Sequence, residues 1–144
     1  MARSKFRLVR EDDTDTAEAL HMLTFPHDEW EDNDAYWVVY DPTGTPVAFC
    51  TARFSSDDSV YLSRAGVLPI ANGQGLQRRM ITARVNWARR EGRRYCVTYT
   101  LPKNYPSMVN LLRSGFKFYH PVNRWGGEDS HYFIKDLGEP TCSQ

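Results

Sequence analysis

Apolar and polar positions alternate with a period of two in several short runs and recur at about 3.6 residues in others, the two signatures of half-buried strands and amphipathic helices. Phe6-Arg-Leu-Val-Arg10 alternates and stops at the acidic run Glu11–Asp13, which predicts a first strand. A helix is expected next. Thr14 or Asp15 stands at the N-cap, Glu18 at the capping-box position, and Ala17, Leu20, His21 and Phe25 follow at helical spacing as far as Pro26. Residues 26–34 are polar and acidic around the single large apolar residue Trp30 and read as a loop or a short second helix. Two strands, Ala35–Tyr40 and Pro46–Phe54, flank a tight turn at Asp41-Pro-Thr-Gly-Thr45. A second turn at Ser55–Asp58 leads into a strand over Val60–Val67, completing an antiparallel meander.

Beyond Val67 the period changes. Leu76, Met80, Ala83, Val85, Trp87 and Ala88 lie mostly along one side of a helix that ends at Glu91-Gly92. Tyr95–Thr100 then reads as a strand, Ser107–Ser114 as a helix closed by Gly115, Phe116–His120 as a strand, and His131–Lys135 as the last strand after the Trp125-Gly-Gly127 turn. The pattern predicts an α+β fold: a mixed, mainly antiparallel sheet of six or seven strands flanked by about four helices. No repeat, low-complexity tract or linker divides the sequence, so one domain over residues 1–144 is expected, with a core from about 6 to 137.

Composition narrows the function. With 144 residues the chain can bury one ordinary core, and 18 basic against 18 acidic residues argue against a general nucleic-acid binder. No long apolar run suggests a membrane partner, and Met1–Arg10 lacks the apolar segment of a secretory signal, so a cytoplasmic protein is expected. Cys50, Cys96 and Cys142 are odd in number and widely spaced, which suggests neither a disulfide framework nor a metal site. Cys50 and Cys96 belong to apolar runs and are expected in the core, and Cys142 in a frayed, dispensable tail over residues 138–144.

The most informative stretch runs from Gly66 to Gln77, where a strand passes through Gly73 and Gly75 straight into a helix. Such a junction leaves backbone N–H groups unpaired at the positive end of the helix dipole, and glycine lets an anion such as a pyrophosphate approach them. A plain strand-to-helix turn is the simpler alternative. The loop lacks the Lys-Ser/Thr of a Walker site, and its strand comes late, after a meander, unlike the first βαβ unit of a dinucleotide fold.

In these residues the chain resembles the GNAT superfamily of N-acetyltransferases, whose hallmark is Val-x-Pro, a short spacer, and Arg/Gln-x-x-Gly-x-Gly/Ala opening a long helix. Val67-Leu-Pro69 matches the first element and Asn72-Gly-Gln-Gly-Leu-Gln77 the second in part. Gly75 occupies the invariant-type glycine and Gly73 the common one. Asn72 stands where Arg or Gln is usual, and Gln77 where Gly or Ala is usual. Downstream, Asn104, Ser107, Gly115 and Phe116 agree with the family's Asn-x-x-Ala/Ser-x-x-x-Tyr-x-x-x-Gly-Phe segment, while Leu111 replaces its frequent tyrosine. The resemblance spans about residues 35–135 and, with the first strand and helix, nearly the whole chain.

The resemblance implies acetyl-CoA or a related acyl-CoA as acyl donor, held between the Val67 and Tyr95 strands, which splay apart. The pantetheine would pair with the Val67 strand edge, including Val67 and Leu68. The pyrophosphate would take the amides of Asn72, Gly73, Gln74, Gly75, Leu76 and Gln77, and Asn104 would touch the pantetheine arm. The arginines at 78, 79, 84, 89, 90, 93 and 94 read first as a solvated helix face. Arg78 or Arg79, in the first turn, is placed to reach a CoA 3′-phosphate.

Acyl transfer to an amine needs a base, a donor for the thioester carbonyl and a proton for the leaving thiolate. The Val67 or Leu68 N–H can meet the carbonyl. Ser107, Tyr105 and Tyr119 are candidate proton donors in place of the missing tyrosine, and Glu29 and His27 candidate bases. His120 and His131 read as structural. The loop over residues 25–34 holds five carboxylates around Trp30 and His27, a composition that suits a cationic acceptor and equally a plain exposed loop. Trp125, on the last turn, either caps the acceptor or packs under its own loop. The expected activity is therefore direct transfer of acetyl from acetyl-CoA to a primary amine of a small molecule or peptide, in a ternary complex. A same-fold transferase acting on a protein amine or nucleobase, and a non-catalytic acyl-CoA sensor or interaction module, remain open alternatives, as does a homodimer formed through exposed strand edges.

Overall fold

The structure is a computed structural model that describes residues 5–140; Cys142 and most of the expected frayed tail lie outside the described residues. Seven strands form one sheet in the order β1-β2-β3-β4-β5-β7-β6. The chain divides into two compact units, one comprising residues 1–53 with 63–80 and the other residues 54–62 with 81–144.

The first unit begins with β1 (Arg7–Glu11), α1 (Asp15–Thr24) and β2 (Ala35–Tyr40), and takes in most of β3 (Pro46–Ser56) and the end of β4 (Ser59–Val67). β1 and β2 pair antiparallel from Arg7↔Tyr40 to Glu11↔Tyr36, and two of these pairs set an arginine over an aromatic ring, Arg7 over Tyr40 and Arg10 over Trp37. β2 pairs antiparallel with β3, with a bulge at Val39/Tyr40. Ala35 to Val39 are buried at both parities, so this strand is covered on both faces. α1 lays Ala17 and Leu20 against Tyr36, Val38 and Phe49. Gly66 is what lets the end of α1 close on β4: a Cβ there would stand 2.7 Å from both Phe49 Cε1 and Thr24 Oγ1.

The start of α1 differs from expectation. Thr14 already has helical backbone angles and its side chain makes no capping bond; the Asp13 carboxylate accepts the Asp15 N–H at 2.7 Å instead. Glu18 contributes its N–H to Thr14 O, the first helical bond, so no capping box forms. Residues 26–34 form a loop without a second helix.

The second unit holds the body of α2 (Leu76–Arg90), β5 (Tyr95–Thr100), α3 (Tyr105–Arg113), β6 (Lys117–Tyr119) and β7 (His131–Asp136). The β4–β5 ladder is parallel over Ser59–Tyr61 with Tyr95–Val97, and β7 pairs antiparallel with both β5 and β6. Trp87 of α2 stacks on Phe54, and the Arg93 guanidinium lies over the same Phe54 ring. Tyr61, Tyr99, Tyr132 and Trp125 form an aromatic cluster in which Trp125 stands edge-on to the three tyrosines. Tyr132 Oη accepts the Gly126 N–H and donates to Gly127 O, so Trp125 packs under its own loop.

Among the described residues three α-helices and one turn of 3-10 helix, Pro69–Ala71, stand where about four helices were expected. α3 starts at Tyr105 rather than Ser107 because the Asn104 side chain caps it, accepting the Ser107 N–H, and Pro106 sits in the first turn, where no N–H is needed. Arg84 is also unlike its expected neighbours on a solvated face: only 4% of it is exposed.

Candidate active site

β4 ends at Val67 and the chain turns through Pro69–Ala71 towards α2. Leu68 donates its N–H to Val47 O at 2.8 Å, so that group is committed to β3. Successive strand N–H groups point to opposite edges, and the neighbouring Val67 N–H therefore points away from β3. Gly73 and Gly75 have φ of +80° and +72°, a region that L side chains rarely adopt, and a Cβ on either would meet nothing within 4 Å. The Gln77 side chain thus leaves the space over both glycines open. The first bond that returns along α2 is Arg79 N–H to Gly75 O at 3.3 Å, and among the described residues no protein acceptor takes the N–H groups from Gly73 to Arg78. Buried Leu76 anchors the start of the helix beneath them. The result is a row of open donors at a helix N-terminus, the kind of feature at which anions are held.

The two first-turn arginines have different duties. Arg79 donates through Nη1 to Phe6 O at 2.8 Å and so ties α2 to the segment before β1. Arg78 is exposed and, among the described residues, without a protein partner, which leaves its guanidinium for a ligand.

The segment over 25–34 is largely exposed, as expected of an acidic loop, but it is pinned through Phe25, Asp28, Trp30 and Asn33. Trp30 stacks on Tyr36 with ring centroids 5.7 Å apart and meets His21 edge-on at 5.4 Å. Asp28 pairs with Arg64 Nη1 at 2.8 Å, and the same guanidinium lies 4.7 Å from the Phe25 centroid. Asn33 Oδ1 accepts from Ser63 Oγ at 2.6 Å, and its backbone is bonded to the Tyr36 hydroxyl. One carboxylate is therefore neutralised, while Glu29, Glu31 and Asp32 remain exposed, with His27 beside them.

His21 emerges only from the packing. It is 1% exposed, ringed by Phe25, Trp30 and Phe49, and its Nδ1 makes no hydrogen bond. Burial holds its pKa below the usual histidine value, with the Arg64 charge acting in the same direction and Asp28, Glu18 and Glu31 opposing. Its place among Ala17 and Leu20 on the apolar helix face was the available signal.

In the second unit, Asn104 has its Oδ1 engaged in the cap of α3. Tyr105 is 65% exposed, Ser107 is half-buried, and Leu111 packs into the core at the position where the family motif has tyrosine. Burial raises the pKa of the half-buried Tyr119 hydroxyl. Cys50 and Cys96 are free thiols buried in the core, and burial pushes the Cys96 thiol up to about 12, which leaves it inert as a nucleophile at neutral pH. Among the described residues no group of three or more His, Cys, Asp or Glu side chains could hold a metal ion, and no helix is long and apolar enough to cross a membrane.

Fold and loop together define an α+β protein with a backbone cradle suited to an anionic ligand. The sequence model of the acetyltransferase (GNAT) family matches residues 5–116, and the chain belongs to that family. No curated protein matches the chain significantly. Among solved structures, an IAA acetyltransferase from Bacillus cereus ATCC 14579 is similar with a TM-score of 0.78 at 11% identity, over 92% of this chain and 100% of that one. A GNAT family acetyltransferase from Elizabethkingia anophelis, solved with acetyl-CoA bound, gives 0.76 at 11% identity over 94% and 100%. The ribosomal-protein-S18-alanine N-acetyltransferase from Escherichia coli gives 0.71 at 17% identity over 92% and 94%. At these identities the likeness is one of fold.

Proposed function

We propose that the protein is an N-acetyltransferase that moves the acetyl group of acetyl-CoA directly to a primary amine in a ternary complex. The observation that carries this reading is the open row of N–H groups from Gly73 to Arg78 in a member of the acetyltransferase (GNAT) family. In this reading the amides from Gly73 onwards hold the diphosphate, with Gly73 and Gly75 giving it room, and Arg78 holds the 3′-phosphate; the Asn72 N–H, expected in the cradle, is committed to Pro69 O at 3.1 Å and does not take part. The Val67 N–H serves the pantetheine or the thioester carbonyl; the Leu68 N–H, committed to Val47, does not, and Leu68 contributes by packing. Asn104 offers its amide nitrogen to the pantetheine arm, its oxygen being used in the helix cap.

Acetyl-CoA supplies an acyl carbon bound to a thiolate leaving group. Glu29 takes a proton from the acceptor ammonium, directly or through water, so that the amine nitrogen can form the new C–N bond as the C–S bond breaks. Ser107 or Tyr105 returns a proton to the departing sulfur. The buried cysteines support transfer without an acyl-enzyme, since neither is exposed to be acylated.

The test is to incubate the protein with acetyl-CoA and a panel of small amines and peptides, following thiol release and product mass. Acetylated amine with stoichiometric thiol release is the expected outcome. Tight acetyl-CoA binding by calorimetry with no turnover on any amine or peptide would replace the transferase by an acyl-CoA sensor.

A further inference from the structure

We propose that His21 is a positioning residue whose neutral imidazole latches the 25–34 segment in place and whose protonation releases it. The latch is built from three aromatic contacts. His21 lies 5.5 Å from Phe25, 5.4 Å from Trp30 and 5.9 Å from Phe49, ring centroid to centroid, so one side chain of α1 joins the start and the middle of the segment to β3. With 1% of the residue exposed and Nδ1 unbonded, the site offers an imidazolium neither water nor a hydrogen-bond acceptor at that nitrogen. The charged groups facing it are Arg64 from β4, Asp28 and Glu31 from the segment, and Glu18 from α1; β3 supplies Phe49, and Tyr36 of β2 backs Trp30. Arg64 disfavours a second cation directly, and it is also the residue that clamps Asp28 and covers Phe25. A proton on His21 therefore acts on the Phe25 and Trp30 contacts and on the Arg64 clamp, while the bonds of Asn33 to Ser63 and Tyr36 hold the far end of the segment without it.

The direction follows from linkage. In the latched state the imidazole sits below its ordinary value of 6.5, and in the released, solvated state it returns to that value. Above pH 6.5 both states carry a neutral ring and the latch is independent of pH. Below it the released state binds a proton that the latched state does not, so the population of the released state rises, by at most about tenfold per pH unit and only until the latched imidazole itself takes up a proton.

Hydrogen exchange tests this without any ligand. After correction for intrinsic rates, the amides of the 25–34 segment should open more at pH 5.5 than at pH 7.5 in the wild-type protein, by up to about tenfold. The variant His21→Phe, which keeps a ring and removes the proton site, should show no such difference. If His21→Phe does not fold, the wild-type imidazole resonance decides: His21 should titrate below 6.5 while the segment opens in step. Titration at or above 6.5, or equal opening at the two pH values, would overturn the latch. A catalytic arm rests on the proposed transferase reading, in which the segment frames the acceptor. There the wild-type acceptor KM should rise more steeply on acidification than that of His21→Phe, with acetyl-CoA affinity unchanged in both. Absence of any acetyl transfer would defeat that reading and leave the exchange result standing.

Discussion

Two segments of the first unit, 73–78 and 25–34, are built on opposite principles. In 73–78 the groups on offer belong to the backbone: glycines at positive φ and the first turn of a helix leave N–H groups open, and no side chain crowds the two glycines. In 25–34 the backbone is incidental and side chains do the holding, through Trp30 on Tyr36, Arg64 on Asp28 and Phe25, and Ser63 on Asn33. A backbone site recognises a phosphate whatever the local side chains, which suits a ligand common to a family. A loop held by side chains can be rebuilt by substitution, which suits an acceptor that differs among relatives.

The sharpest way to break this contrast is Gly75→Val. A β-branched residue at φ of +72° costs about 1–3 kcal/mol or turns the local amides away from the ligand. Acetyl-CoA affinity measured by calorimetry should fall about 10- to 100-fold with the circular dichroism spectrum unchanged. Unchanged affinity would mean that the loop is only a turn.

The complementary substitution is Trp30→Ala. Removing a half-buried indole that touches Tyr36 and His21 should cost about 2 kcal/mol and lower Tm by about 4–8 °C. The acceptor KM should rise and acetyl-CoA affinity should not change. An equal loss of acetyl-CoA affinity would show that the two segments are not separable in function.

The cradle was legible in the sequence because its causes are local: glycine permits positive φ, and the start of any helix leaves N–H groups without partners. β2 was legible too, as an aromatic and β-branched run stopped by a Pro-Thr-Gly turn, and its expected limits of Ala35 and Tyr40 are the observed ones. What escaped depended on neighbours distant along the chain. His21 is buried against Phe49 and Trp30 half-buried against Tyr36, and nothing near residue 30 distinguishes a packed tryptophan from an exposed one. The cap of α1 escaped for a different reason: Asp13, Thr14 and Asp15 are three competing cap residues in a row, and only backbone angles choose among them. Arg84 looked like the other arginines of its helix because charge, unlike burial, carries no record of the face it occupies.

The smallest expected effect separates two adjacent arginines that the sequence could not rank. Arg78 is exposed and, among the described residues, without a protein partner, whereas Arg79 is bonded to Phe6 O. If Arg78 meets the 3′-phosphate, Arg78→Ala should weaken acetyl-CoA binding a few-fold, an effect that shrinks with added salt and disappears for the 3′-dephospho analogue. Arg79→Ala should leave both affinities alone and instead speed amide exchange in β1, whose approach it anchors. Matching losses for the ester and its dephospho analogue in Arg78→Ala would assign this guanidinium to the diphosphate, and the cradle would then depend on a side chain as well as on the backbone.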